Sequence, residues 1–377
     1  MPISSSDAQK PELIKKFENK FIHMVLGATG DMISDEREIM SEFNDMAEGK
    51  LSSERQAWLK RIKTIQKHEH ITEVVRKRIE QMVEKEFTTK INLIHEKKFK
   101  LPISQNEIDL FKLLITPETD VNLISRKIKS LPWLQSELIH IFNKYGYLQH
   151  ATVAIQDPKL IMSYMGFENI RLWFGYLCSR HWLPMKNFRI HNAVRRFLSY
   201  QTTHALAVRK LSKNKNLLND SFYLASFLRN AGAIMTLYVA SNIVDECWSK
   251  WLKDAEIRKE SELYETILMT EFPIKLIQKI WLNQLNKINL STLNNFKWDE
   301  DHIINWVVEI DQAKSFSALS EEAQIIEKGA CFAKVHLIEH WAKGVLNIAP
   351  KIYQYYNIDE AELALLKQIN YEKLPIQ

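Results

Sequence analysis

The most apolar stretch of the chain, Ser221 to Val244, carries Arg229 and Asn230 near its centre. A membrane-spanning helix would pay about 3 kcal/mol for an arginine at that depth. Two buried helices meeting at the polar pair fit better, one over Phe222 to Leu228 and the next opening at Ala233 to Val239. The rest of the chain agrees. Only nine Gly and ten Pro punctuate 377 residues. Runs rich in Leu, Ile, Lys, Glu and Gln dominate, and few stretches favour strands. The expected fold is all-α, with ten Trp, seventeen Phe and twelve Tyr supplying bulk for the core.

Hydrophobic residues at 46% and charged residues at 26% are ordinary for a globular protein. Cys178, Cys247 and Cys331 lie far apart, with no metal-type spacing and no even count for a disulfide framework. They read as reduced, buried thiols. No basic start followed by an apolar core marks the N-terminus. Together these features lead us to expect a cytoplasmic protein that does not enter a membrane.

The length suggests two or three units. Residues 1 to 12 are polar, with Pro2, Pro11 and a serine run, and read as a frayed tail. From Leu13 to Phe99 apolar residues recur at helical steps. Asp31 to Glu54 carries eight acidic and two basic residues, whereas Arg55 to Lys100 carries thirteen basic and six acidic. Complementary charge on neighbouring solvated helices explains this, with a specific partner surface as the alternative. Leu101-Pro102 interrupts the run, and an Asn-rich stretch from Asn286 to Asp301 marks a second boundary. The expected organisation is an N-terminal helical region over 1–98, a core over 99–290, and a C-terminal helical segment over 291–377.

An ordered series of features fills the core. Leu101-Pro102-Ile103 opens it, and the helix Glu107 to Leu114 runs to a turn at Thr116-Pro117. Asp120-Val121 starts a helix, and Leu131-Pro132 precedes another around Leu134 to Phe142, which ends at Asn143-Lys144-Tyr145-Gly146. Asp157-Pro158 follows, then Met165-Gly166-Phe167-Glu168-Asn169-Ile170-Arg171. This order resembles the HD-related output domain (HDOD) family, a branch of the bacterial HD superfamily of phosphohydrolases. In the superfamily a His-Asp doublet, followed by a small residue and Gly, ligates the catalytic metal. Here Ala231-Gly232 keeps the small pair, but Arg229-Asn230 stands where the ligands would be. A guanidinium stays protonated and offers only donors, so it does not bind a metal. The first superfamily histidine aligns with Tyr200, one turn before His204.

The resemblance implies a two-lobed HDOD-like domain and a bacterial signalling or regulatory protein that works through protein partners. It implies no cofactor and no enzymatic activity. His204 reads as a packed or hydrogen-bonded core histidine. His336 and His340 share a helix face and read as amphipathic packing, and His68-Glu69-His70 as a solvated run. A residual phosphohydrolase using His204, His336 and His340 is the enzymatic alternative.

A second alternative rests on charge. Asn169 to Asn219 contains no Asp or Glu and ten Lys or Arg, interleaved with Trp182, Phe188 and Tyr200. Arg189, Arg195, Arg196, Arg209 and Lys210 are the candidates for binding a nucleotide or nucleic acid, since guanidinium pairs with phosphate and aromatics stack on bases. Pairing with acids from other segments explains the same residues without a ligand, and a net charge of +5 is modest for a dedicated nucleic-acid binder.

Overall fold

The computed structural model describes residues 11–27, 69–96, 98–99, 102–115, 120–144, 156–185, 187, 190–215, 217, 219–269, 272, 274–296, 302–313 and 315–371. Every regular element among them is helical, as the composition requires. The first two helices are α1 (Glu12–Leu26) and α2 (Glu69–His95). Four more form one lobe: α3 (Gln105–Ile115), α4 (Val121–Lys129), α5 (Pro132–Lys144) and α6 (Pro158–Trp182). The second lobe contains α7 (His191–Asn214), α8 (Asn219–Leu228), α9 (Ala231–Ile257), α10 (Ser261–Met269), α11 (Ile274–Asn294), α12 (His302–Gln312) and α13 (Glu321–Trp341). Two short helices, α14 (Ala349–Tyr355) and α15 (Glu360–Lys367), follow.

Local chemistry sets the first lobe. Asp120 caps α4 by accepting from the Asn122 amide at 2.8 Å. Asp157 caps α6 in the same way at 3.2 Å, with Pro158 in the first turn, where its missing N–H costs nothing. α6 is kinked at Gly166, whose φ of 76° lies outside helical space. Arg171, five residues later, donates to the Leu114 carbonyl at 2.6 Å and to Asp220 at 2.8 Å. It thereby ties α6 to the end of α3 and the start of α8. Glu107 accepts from the Trp182 indole at 3.0 Å and from the Ser104 amide at 2.6 Å, fastening α3 to the far end of α6.

The second lobe is built around α7, buried without a break from Tyr200 to Val208. Along that stretch the helix is covered, and its polar groups there need internal partners. Ser179 donates to Gln201, and Thr202 donates to the Leu198 carbonyl at 2.9 Å. α8 and α13 flank α7, and α15 touches it as well. The approach to α13 is close. A Cβ on Gly329 would lie 2.3 Å from Val208 Cγ2 and 3.0 Å from the Val208 amide nitrogen.

Helices α1 and α2 do not stand apart. Ile14, Phe17, Phe21, Val25 and Leu26 of α1 are buried, and α1 packs on α7, α11 and α13. α2 packs on α9, α10 and α11. The N-terminal region expected over 1–98 thus shares one hydrophobic cluster with the rest of the described residues. The boundary expected at 290 falls inside α11, where Asn286 and Asn289 hydrogen-bond to Asp311 of α12; residues 297–301 of the Asn-rich stretch lie outside the described residues. Residues 28–68, and with them the acidic run, lie outside the described residues. So do Leu101, Thr116-Pro117 and Tyr145-Gly146. Cys178 and Cys331 are buried as expected, whereas Cys247 is half-buried. No helix among the described residues is long and apolar enough to cross a membrane.

Substituting Gly329→Ala tests the α7–α13 approach. The added methyl meets backbone as well as side chain, so overpacking is expected to cost about 1–3 kcal/mol. A lower urea midpoint with an unchanged slope is the expected signature, and an unchanged midpoint would contradict the packing described.

Candidate functional site

The turn joining α8 to α9 carries Arg229 and Asn230, and α7 brings Tyr200 and His204 beside it. His204 is fully buried. Its Nε2 lies 3.0 Å from the Ile326 carbonyl, which can only accept, so the proton sits on Nε2. Asn230 Nδ2 then donates to the bare Nδ1 at 3.2 Å and also reaches the Ser226 carbonyl at 2.9 Å. Both ring nitrogens are engaged by the neutral form. Burial lowers the His204 pKa to about 4, more than the Ile326 carbonyl and Glu327 raise it, and Arg229 and Lys334 push the same way as burial. Tyr200 stacks on the imidazole with ring centroids 5.7 Å apart and packs against Phe21 of α1 at 4.8 Å.

Arg229 turns the other way. Its Nη1 donates to Asp311 at 2.8 Å and its Nε to Glu327 at 3.0 Å. The side chains are 17% exposed for Arg229, 0% for Asp311 and 12% for Glu327, so the bridges are shielded from water. Burial opposes the guanidinium charge, but Asp311 and Glu327 outweigh it and hold the proton more firmly than usual. Asp311 also accepts from Asn289 Nδ2 at 2.6 Å. Asn289 Oδ1 in turn accepts from the Gly232 amide at 2.8 Å. A Cβ at Gly232 would come within 2.7 Å of the Asn289 amide nitrogen, which is why glycine suits this first turn of α9.

The network extends to α1. Lys334 donates to Glu18 at 3.2 Å, and the Tyr356 hydroxyl donates to the same carboxylate oxygen at 3.3 Å. Burial disfavours the Lys334 charge, and Glu18, Tyr200 and Glu327 more than offset it, raising its pKa above the usual lysine value.

Asp311, Glu327, Lys334, Asn289 and Glu18 are absent from the residues singled out in the sequence. A usable signal exists all the same. Each charged one occupies an apolar helical stripe: Val307 and Asp311, Ala323, Glu327, Ala330 and Lys334, and Ile14, Glu18, Phe21 and Val25. A charge at such a position is buried and needs a partner.

The remaining candidates are scattered. Arg196 Nη1 donates to the Met24 carbonyl at 2.8 Å and so caps α1. Arg209 meets Glu168 at 3.1 Å and lies 3.7 Å from Asp220, the acids that bracket the acid-free segment. Arg195 is exposed and Lys210 half-buried, both on α7. Arg189 and Phe188 lie outside the described residues, as does His68. His336 packs against Phe332 and Tyr371 with centroids at 5.7 and 5.0 Å, while His340 is exposed. Among the described residues no three His, Cys, Asp or Glu side chains gather as a metal site.

No family model and no curated protein matches the chain. Two solved structures are similar to it in part, both from Shewanella amazonensis SB2B. A provisionally assigned phosphohydrolase shares 14% identity over 75% of this chain and 92% of its own, with a TM-score of 0.45. A provisionally assigned metal-dependent phosphohydrolase shares 12% identity over 76% of this chain and 99% of its own, with a TM-score of 0.39. Identities and scores this low leave the chemistry to be read from the residues themselves.

Two outcomes follow from the geometry. Arg229→Met would leave two shielded carboxylates without their cation and is expected to cost about 3–5 kcal/mol in urea unfolding. Arg229→Lys, with one compact ammonium in place of a fork, should recover only part of that. His204 makes stability depend on pH. Its folded pKa of about 4 lies below the unfolded 6.5, so the unfolded chain takes the proton first. Stability should therefore fall as pH drops from 6.5 towards 4, by about 3 kcal/mol from this group. His204→Gln should show a correspondingly shallower dependence between those limits, and an unaltered dependence would contradict the assignment.

Proposed function

We propose that this chain is a non-catalytic regulatory protein, a degenerate HD-type domain close to the HDOD branch, acting through contacts with a protein partner. One observation carries the reading. At the turn where the resemblance would put a metal-binding doublet, a guanidinium bridges Asp311 and Glu327, beside an imidazole whose two nitrogens are already committed. A hydrolytic metal needs free lone pairs from several ligands and an open position for water. Here the carboxylates that could attract a cation hold one that belongs to the chain.

The arrangement also bears on how such a protein would signal. An emptied ligand site implies a cleft able to open and close. At this spot His204 and Asp311 are sealed, and the charges fasten α8, α12 and α13 together. A fixed frame suits recognition of a partner by shape, since any shift between two arrangements would require differential binding large enough to part the bridges.

Metal analysis combined with an assay tests the reading. Protein purified without chelator should carry no stoichiometric manganese, iron or zinc. It should also show no manganese-dependent hydrolysis of bis(p-nitrophenyl) phosphate. Stoichiometric metal together with hydrolysis, both lost in His204→Ala and Asp311→Asn, would establish the enzymatic alternative instead.

A further inference from the structure

A groove of about 1500 Å³ lies between α5, α6 and α7, with residues 368–371 completing its lining. Its charge is one-sided. Lys144, Arg180, Arg195, Arg209, Lys210 and Lys213 line it, against the single carboxylate of Glu137. That carboxylate is taken by Arg180 at 2.6 Å, and Arg209 is held by Glu168. Arg195, Lys210 and Lys213 form no ion pair among the described residues.

These three cations follow one face of α7. Positions 195, 199, 202, 206, 210 and 213 recur at steps of three and four, so they share a side of the helix. Arg195 and Lys213 are eighteen positions apart, or about 27 Å along the axis. Ser199 and Thr202 fall between them and also line the groove, the Thr202 hydroxyl turned back to the Leu198 carbonyl. Tyr200 and His204 point to the opposite side, into the buried network. The charged face is thus a separate feature, not an extension of that network.

Length and volume choose among anions. A mononucleotide would meet one end of the stripe and leave most of its charge unused. Pockets for small ligands rarely exceed about 1000 Å³. A chain of phosphates can engage the cations in succession. Two half-buried tyrosines, Tyr176 and Tyr371, also line the groove and give unstacked bases a surface. Cations along a backbone track with aromatics beside it are the pattern by which single strands are held without sequence readout. We propose that this groove binds single-stranded nucleic acid, with phosphates along Arg195, Lys210 and Lys213 and bases towards Tyr176 and Tyr371. The proposal is independent of the metal-site reading.

Fluorescence anisotropy with the full chain tests it, using fluorescein-labelled oligo-uridylate and oligo-thymidylate of about twelve residues. Both should bind at about 50 mM salt and weaken steeply towards 200 mM. Binding of both strands reports backbone recognition, and binding of RNA alone reports the 2′-hydroxyl; either supports the proposal. Arg195→Gln/Lys210→Gln/Lys213→Gln should weaken binding at least about tenfold. It should also flatten the plot of log affinity against log salt by about 2, the share of three single-strand phosphate contacts. Lys250→Gln/Lys253→Gln, two exposed sites on α9, should change neither. Ultraviolet cross-linking of the unaltered chain should map to peptides containing Tyr176 or Tyr371, a readout that needs no variant to fold. Failure to bind either oligonucleotide, equal loss in the α9 control, or cross-links mapping elsewhere would overturn the proposal. So would tighter binding of ATP or poly-glutamate than of the oligonucleotides.

Discussion

The rest of the structure depends on one buried charge. Arg229 sits at the turn between two apolar stretches, Phe222 to Leu228 and Ala233 to Val239, and reaches carboxylates on two other helices, 82 and 98 residues further along the chain. Asp311 has no exposed side-chain surface and would be costly as a lone anion. The guanidinium neutralises it, and the planar fork directs separate N–H groups at separate acids. Asn289 also donates to Asp311 and is itself held by the Gly232 amide. The second lobe therefore closes around a cation that the polypeptide itself supplies.

Helix α7 serves both parts of the functional reading by presenting different chemistry on opposite sides. Towards α13 it offers Tyr200 and His204, both buried, the imidazole hydrogen-bonded internally and the phenol ring stacked on it. On the other side it lines the basic groove. Residues two apart on a helix differ by about 200° in direction, so a shift of two positions separates the core from the solvated wall. No acid occurs from 169 to 219, so the wall of the groove that α7 forms carries positive charge alone. Glu168 and Asp220 sit just outside the segment, and both are drawn to Arg209.

Much of the architecture was legible because it is written locally. Asp120 and Asp157-Pro158 announced helix starts, and both act as caps. The interruption at Arg229 and Asn230 did mark the meeting of two buried helices. His204 is the hydrogen-bonded core histidine that its apolar helix suggested. What stayed hidden was long-range. Nothing beside Arg229 names Asp311 or Glu327, and only a charge on an apolar stripe hinted that each was buried. The Asn-rich stretch shows a related limit of composition, which gave no sign that Asn289 would serve the buried Asp311 from within a helix. Arg196 likewise gave no sign that it would cap a helix 172 residues earlier.

The fastening of α1 bears on how the chain is made. Glu18 is held by Lys334 and Tyr356, which lie 316 and 338 residues further on. The face of Ile14, Phe17, Phe21, Val25 and Leu26 finds its cover on helices that leave the ribosome much later. During synthesis that greasy face has no native shelter until α7 has emerged, and its cover is complete only with α11 and α13. Contacts so distant in sequence form slowly, and surfaces that wait for them are where nascent chains stick to one another. Chaperone dependence in the cell would thus trace to the first helix described and not to the core that buries it.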